Sequence, residues 1–493
     1  MSRIVTLPSE LKGARFHFVG IKGTGMVALV EILAARGAVI TGSDVSERFY
    51  TDQVLEKLGI KPMEFSEGNV TKDIQFVVYS SAYSSDKNPD LKRAVELGIP
   101  MMLYSEALGA ISRTAFSAGI CGVHGKTTTT GLAGTLLKYL PLNSQILAGS
   151  IISSFGNSCT VNNKNSGSPY FVAETCEYQR HFMAYSPSKI ILTSVESDHQ
   201  DYYPTFKDIQ NAFVDYACLL PQGGDLIYCA DDAGAVETAQ IAKTKRLDIN
   251  LIPYGTKAEG DYKLTFGKVE KGHQYFTIGL LGECALAVPG LHNVRNACAA
   301  VALAVELLKA DGKKPEEYFK RIKEGLLAFA GGKRRSEIVG RCKNKAGNDI
   351  IFIDDYGHHP TAIKTTLAGY REFYKGHKII VDFMSHTYTR TAALLEEFAS
   401  SFDSADVVII NKIYGSAREN ADAAKVTGKI LAEHAAKYHK HVIYAKEFDE
   451  AAEKALELLQ QSAGSKYPDG YLFVTMGAGD NWKVGAKVME SLK

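Results

Sequence analysis

The segment 115–140, AFSAGICGVHGKTTTTGLAGTLLKYL, sets two glycines, a lysine and a run of threonines between an apolar run and a helical period. Gly122 and Gly125 free the backbone to turn its N–H groups toward phosphate oxygens. Lys126 supplies a point charge for the outer phosphates, and Thr127 offers its hydroxyl to magnesium. The helix that follows adds partial positive charge at its N-terminus. Gly122, Val123, His124, Gly125, Lys126, Thr127 and Thr128 therefore read as a nucleotide phosphate loop. A usual phosphate loop has a further glycine where this chain has Ile120. The match is G-x-x-G-K-T-T, a shorter form that points to a subset of ATP-dependent enzymes.

A second glycine loop lies in FHFVGIKGTGMVALVEILAARGAVITGSDVS (16–46), which reads as one β-α-β unit. Gly20, Gly23 and Gly25 fill the turn between strand and helix, and Asp44 ends the second strand. Lys22 stands where the dinucleotide fingerprint has glycine. The loop suits a diphosphate at the helix N-terminus with Asp44 near a ribose. NAD, FAD and a UDP-sugar all remain candidates on this segment, beside a purely structural turn.

Acids and histidines follow other apolar runs. FVAETCEYQRHF (171–182) carries Glu174 and Glu177, and SVESDHQDYYPTF (194–206) carries Asp198, His199 and Asp201. Magnesium on phosphates takes one or two protein carboxylates and keeps several waters, whereas a histidine there is less usual. Further along, Lys333, Arg334 and Arg335 form a basic triplet suited to a phosphate or carboxylate clamp, or simply to a solvated turn. IDDYGHHPTAI (353–363), FMSHTYTRT (383–391) and NKIYGSAREN (411–420) bring Asp354, Tyr356, His358, His386, Arg390, Arg418 and Glu419 to three successive strand ends.

The elements that must position these residues are short apolar runs alternating with amphipathic stretches such as 26–36 and 294–309. FHFVG (16–20), FVVYSS (76–81), KIILTSV (189–195), DIIFIDD (349–355), KIIVDF (378–383), ADVVIIN (405–411) and YLFVTMG (471–477) fit buried parallel strands. This is an α/β pattern with crossover helices, in which ligands sit beyond the carboxyl ends of the strands. Residues 160–169, TVNNKNSGSP, read as an exposed loop. Joins near 112–119 and 330–341 divide 493 residues into about three parts, as the length suggests.

Lys plus Arg is 56 and Asp plus Glu is 55, a net charge of +1. No global field draws the chain to nucleic acid or an anionic membrane, so any polyanion it binds is held locally. No apolar run reaches the length of a membrane helix, and no signal peptide is visible. The eight cysteines include no C-x-x-C pair. Free thiols in a reduced, cytoplasmic setting are the expectation, with no zinc site and no membrane insertion.

Taken together, GIKGTGM (20–26), YSSAY (79–83), GVHGKTTTT (122–130), ETCEYQRHF (174–182), ESDHQDY (196–202), GLHNVRNACAA (290–300), GGKRR (331–335), DDYGHHPTAI (354–363), HTYTRT (386–391) and YGSAREN (414–420) resemble the Mur ligase family over nearly the whole chain. The most discriminating segments, DDYGHHPT and HTYTRT, resemble its alanine-adding branch more than the branch that adds a recycled tripeptide. The resemblance implies three α/β domains on mainly parallel sheets: 1–114 for the UDP-sugar, 115–332 for ATP and 333–493 for the amino acid. It implies ATP-dependent ligation of L-alanine to UDP-N-acetylmuramate with Mg2+, by a monomer or weak dimer that binds no nucleic acid.

The resemblance also implies roles. Lys126, His199, His358 and Arg390 are the expected catalytic residues, and Thr127, Glu174 and His199 the metal ligands. Asn293, Arg334 and Asp354 join the phosphate loop in holding ATP. Gly20, Gly23, Thr24, Gly25, Asp44, Ser80, Ser81 and His124 are expected on the UDP-sugar, and Tyr356, His386 and Arg390 on the amino acid. The chain departs from the family pattern at Val123 (usually threonine), Ser194 (usually asparagine) and Thr387 (often arginine).

Overall fold

The computed structural model describes residues 5–8, 10–49, 51–162, 169–415 and 426–492, with the side chains of 161 and 162 left aside. The chain forms a three-domain α/β architecture gathered into two compact units. One comprises Met1–Glu196, Lys207–Lys263 and Asn296–Ala328, the other Ser197–Phe206, Leu264–Arg295 and Phe329–Lys493.

The first unit holds two sheets. β1 (Arg15–Val19), β2 (Val39–Ser43), β3 (Phe76–Tyr79) and β4 (Met101–Leu103) form a parallel sheet in the order β2-β1-β3-β4. The second sheet comprises β5 (Phe116–Cys121), β6 (Ser144–Ile152), β7 (Asn157–Asn162), β8 (Tyr170–Glu174), β9 (Lys189–Leu192), β10 (Asp225–Cys229) and β11 (Asn250–Tyr254). Its order is β11-β10-β9-β5-β8-β6-β7, parallel except for β7. β5 thus lies between β8 and β9, and the loops leaving these three strands share one edge.

The second unit also holds two sheets. β12 (Leu264–Glu270), β13 (His273–Ile278) and β14 (Gly282–Leu286) make an antiparallel meander. β15 (Glu337–Lys343), β16 (Asp349–Asp355), β17 (His377–Met384), β18 (Val407–Ile410), β19 (Val442–Tyr444) and β20 (Gly470–Gly477) form a sheet in the order β15-β16-β20-β17-β18-β19, antiparallel only at β15. Its apolar runs are continuous because both faces are covered. Ile351, Ile353, Val381, Leu472 and Val474 pack on one side. Their alternating neighbours Ile350, Phe352, Ile380, Tyr471 and Phe473 pack on the other, as the period of two requires.

Every apolar run read as a parallel strand is one. The loop reading at 160–169 is corrected at its start: residues 160–162 belong to β7, which pairs antiparallel with β6. Residues 163–168 lie outside the described residues. Thr160 and Val161 are β-branched and find a partner edge in β6, and that contact overrides the polar composition. Among the described residues no helix is long and apolar enough to cross a membrane. All eight cysteines are free thiols.

One carboxyl interrupts the apolar interior of the second unit. Asp382 on β17 is fully buried and accepts hydrogen bonds from Asn411 Nδ2 at 2.9 Å and Asn481 Nδ2 at 3.3 Å. Burial pushes its pKa from 3.8 up to about 7, against the two amides that favour the anion. A folded-state pKa above the unfolded one means that stability is fully present below pH 3.8 and is lost as pH rises toward 7. Asp382→Asn is therefore expected to gain melting temperature relative to the native chain progressively between pH 4 and pH 7.5, as read by scanning calorimetry. A difference independent of pH contradicts this.

Candidate active site

The glycine-rich loop leaves the carboxyl end of β5 and opens the helix Lys126–Tyr139. Gly125 caps that helix at φ 83°, where a side chain is strained, and a Cβ there would lie 2.6 Å from Asn296 Oδ1. The flanking strands pin the loop. Val123 N–H donates to the Ser194 carbonyl at 3.1 Å, and His124 N–H donates to Ser194 Oγ at 2.9 Å. The serine that replaces the family's asparagine thus holds the loop to the end of β9. His124 Nε2 faces Glu196 Oε2 at 3.5 Å.

Lys126 Nζ turns back over its own loop, donating to the Gly122 carbonyl at 2.5 Å and to Glu177 Oε1 at 3.0 Å. Burial disfavours the ammonium, but Glu177, aided by Cys176 and Glu174, outweighs it and holds the lysine pKa above its ordinary value. Thr127 Oγ1 donates to Glu174 Oε1 at 3.0 Å, and Glu174 Oε2 accepts the Gly149 N–H at 2.7 Å. Thr128 sits half-buried in the first turn of the same helix. A hydroxyl and a carboxylate side by side next to a phosphate loop are hard oxygen donors, and this set fits magnesium.

The other glycine loop leaves β1 and opens the helix Thr24–Ala35, with Gly23 as its cap. Gly20 has φ 83°, and a Cβ there would meet Tyr83 Cε2 at 2.7 Å. Gly25 lies under the Tyr104 ring, which a Cβ would approach to 2.9 Å. Asp44 is engaged by the loop itself: Oδ2 accepts the Lys22 N–H at 2.7 Å and Oδ1 the Val45 N–H at 2.8 Å. Lys22 reaches the carbonyls of Val45 and Glu47 at 2.9 and 2.8 Å and pairs with Asp52 at 3.3 Å. The lysine at the fingerprint's glycine position therefore ties down the segment after β2. Ser80 and Ser81 follow β3, and Ser80 N–H donates to the Val19 carbonyl at 3.1 Å, beside Gly20.

In the second unit the carboxyl ends of β16, β17 and β20 carry a polar chain. Arg334, with φ 55°, donates from Nε to Asp354 Oδ2 at 3.0 Å and from Nη2 to the Gly477 carbonyl at 2.7 Å. Its guanidinium lies 5.4 Å from the Tyr356 ring centre. Burial raises the Asp354 pKa despite Arg334. Tyr356, His358, His386 and Tyr414 make successive ring contacts at 4.9, 5.9 and 5.6 Å. His358 Nδ1 lies 2.9 Å from the Tyr356 carbonyl, which can only accept, so Nδ1 carries the proton and Nε2 the lone pair. Burial, reinforced by Arg390, holds the His358 pKa well below the ordinary histidine value. Asn293, nearly buried, donates from Nδ2 to the Pro289 carbonyl at 2.7 Å.

Arg390 and Asp198 form a buried pair in this unit. Arg390 Nε and Nη2 both donate to Asp198 Oδ1, at 3.1 and 2.7 Å. His199, with φ 54°, donates its own N–H to the same oxygen at 2.7 Å. Burial opposes the charge on Asp198, but Arg390 and His199 hold the carboxyl well below the usual carboxylate range. Thr387, which replaces the family's arginine, has φ 53° and ψ 155° and caps the short helix bearing Arg390.

The structure thus brings together Lys126, Thr127 and Glu174 in one unit, and Tyr356, His358, His386 and Arg390 in the other. His199 stands with Asp198 and Arg390. Arg418 and Glu419 lie outside the described residues. Two of the acids named from the sequence were given no role. Asp198 was adjacent to His199 in the sequence, and Glu177 was three residues after Glu174, but only contact shows which cation each one faces.

Comparison with known proteins matches the Mur ligase family, catalytic domain, at residues 15–115, the Mur ligase middle domain at 120–304 and the Mur ligase, glutamate ligase domain at 334–479. The chain belongs to the Mur ligase family. It is 46% identical over 491 residues to a UDP-N-acetylmuramate–L-alanine ligase of Treponema pallidum, covering 99% of this chain and 98% of that one. A ligase of the same name from Desulfitobacterium hafniense is 37% identical, covering 96% of this chain and 99% of its own. Among solved structures, the UDP-N-acetylmuramate-alanine ligase from Thermotoga maritima shares the fold with a TM-score of 0.70 at 24% identity, covering 97% and 98% of the two chains. A murein peptide ligase from Psychrobacter arcticus does so with a TM-score of 0.61 at 22% identity, covering 97% and 99%.

The Asp198–Arg390 pair yields a stability prediction. Asp198→Ala leaves a buried guanidinium without its carboxylate and is expected to cost about 3–5 kcal/mol in urea unfolding. Adding Arg390→Met to that variant is expected to restore part of the loss. A double variant no more stable than Asp198→Ala contradicts the pairing energetics.

Proposed function

We propose that this chain joins L-alanine to the lactyl carboxylate of UDP-N-acetylmuramate at the expense of ATP, through an acyl phosphate. One observation carries the reading. Lys126 and Thr127 follow a glycine-rich loop, with Thr127 bonded to Glu174 at the end of β8, in a chain 46% identical over 491 residues to a ligase of that name.

The chemistry follows from the reactants. A carboxylate is a poor electrophile until one oxygen is phosphorylated. That oxygen attacks the γ-phosphorus, the bond to the β,γ-bridging oxygen breaks, and ADP leaves. The amine of L-alanine then attacks the acyl carbon, the bond from carbon to the phosphorylated oxygen breaks, and phosphate departs. Two anions must meet in the first step, so neutralising charge is the main task of the protein. Lys126 serves this at the outer phosphates. Thr127 and Glu174 would hold one magnesium and His199 a second, each supplying Lewis-acid neutralisation of phosphate charge when bound.

The incoming ammonium must lose a proton before it attacks. His358, with its lone pair on Nε2, can accept a hydrogen bond from that ammonium. Tyr356, His386 and Arg390 line the amino-acid pocket, and Asn293, Arg334 and Asp354 take the nucleotide. Gly20, Gly23, Thr24, Gly25, Asp44, Ser80, Ser81 and His124 take the UDP-sugar. Residues 1–114, 115–332 and 333–493 divide the three ligands among them. The reaction belongs to the cytoplasmic stage of peptidoglycan synthesis.

Phosphate release measured with ATP, Mg2+ and UDP-N-acetylmuramate is expected with L-alanine and to be far slower with the recycled tripeptide. Turnover with the tripeptide alone contradicts the proposal. Lys126→Ala is expected to lower kcat/KM by about a hundredfold or more while the chain stays folded. Retained turnover contradicts the phosphate role.

A further inference from the structure

Glu177 is absorbed by neither the metal set nor the phosphate loop, yet it is buried against Lys126. Its side chain is 3% exposed and faces Lys126 Nζ with both oxygens, Oε1 and Oε2 each at 3.0 Å. The backbone after it is strained. Gln179 and Arg180 take φ 51° and 58°, two consecutive side-chain-bearing residues in the left-handed region. Such conformations cost about 1–2 kcal/mol each and persist where the surroundings enforce them.

The enforcing contacts are plain. Arg180 Nη2 donates to Asp215 Oδ2 at 2.7 Å, and Arg180 N–H donates to the Glu177 carbonyl at 2.8 Å. Phe182 stacks on Tyr216 with ring centres 4.4 Å apart, and its N–H donates to the Cys176 carbonyl at 2.9 Å. The strained turn is thus stapled at both ends, which fixes the direction of Glu177. With the ammonium also bonded to the Gly122 and Val123 carbonyls at 2.5 and 3.3 Å, Lys126 is folded onto its own loop.

We propose that Glu177 is a positioning residue that stands in for phosphate, holding the Lys126 ammonium over its own loop until the ATP polyphosphate displaces it. A lysine held in a nearly closed loop needs a counter-charge at all times. Glu177 provides one before the nucleotide arrives, and the arriving phosphates take over the ammonium. The same carboxylate then faces incoming negative charge, so it lowers affinity for ATP as the cost of keeping Lys126 charged and placed.

The inference rests on the loop being the ATP site, and loss of ATP binding in Lys126→Ala tests that reading by itself. The test of Glu177 is calorimetric titration of the full chain with a non-hydrolysable ATP analogue and Mg2+. Glu177→Gln, which keeps the shape and removes the charge, is expected to bind about fivefold or more tightly than the native chain. Glu177→Asp, which keeps the charge, is expected to stay within about twofold of it. A merely structural role predicts weaker binding in both. Unchanged or weaker binding in Glu177→Gln, with binding still dependent on Lys126, overturns the inference. Should that variant not fold, the native chain suffices. The Lys126 15Nζ resonance, assigned by its loss in Lys126→Arg, is expected to be visible as a slowly exchanging ammonium and to shift when the analogue is added. A resonance that does not move overturns it.

Discussion

Inside the phosphate loop a buried carboxylate faces the Lys126 ammonium. Removing an ammonium from water costs several kcal/mol unless a counter-ion and hydrogen bonds replace the solvent. Glu177 supplies the first, and the carbonyls of Gly122 and Val123 supply the second. Much of the first unit serves that arrangement. β5 delivers the glycines, β9 ties the loop down through Ser194, and β8 delivers Glu174 beside Thr127. The central place of β5 between β8 and β9 is what lets three loops far apart in sequence meet at one edge.

The second unit solves a different charge problem by the same means. Its sheet ends present histidines, arginines and acids, each with its partner: Arg334 with Asp354, Arg390 with Asp198. Strain gathers where these groups are aimed. Among the described residues, the side-chain-bearing positions with positive φ include Gln179, Arg180, His199, Arg334 and Thr387, all beside candidate site residues. Ser336, close to Arg334, and Lys271, in the turn between β12 and β13, also have positive φ. A fold that holds strained residues at its candidate site spends stability on aim.

The strands and their parallel order were legible in the sequence because buried strands leave continuous apolar runs, and DIIFIDD and YLFVTMG have little else they can be. The β12–β14 meander was not legible. Its strands are half exposed, and residues such as Lys268, Glu270 and Glu283 dilute the pattern. β7 was hidden for a similar reason, since its polar sequence is rescued by pairing with β6. The phosphate loop was legible because its chemistry is local, with glycine, lysine and threonine adjacent in sequence. Charge partners were not. The distance in sequence from Lys126 to Glu177, or from Arg390 to Asp198, carries no signal, and only the sheet order brings them together. Lys22 is the converse case: it departs from the dinucleotide fingerprint, and its side chain is spent on the 45–52 segment.

The proposed reaction transfers a phosphoryl group to a carboxylate so that an amine can displace it. The most direct measurement follows an oxygen atom. UDP-N-acetylmuramate labelled with 18O in its lactyl carboxylate is incubated with the enzyme, ATP, Mg2+ and L-alanine, and the released inorganic phosphate is analysed by mass spectrometry or 31P NMR. The account predicts one 18O per phosphate formed, carried over when the amine breaks the bond from carbon to the phosphorylated oxygen. Phosphate without label, or pyrophosphate in its place, would contradict it.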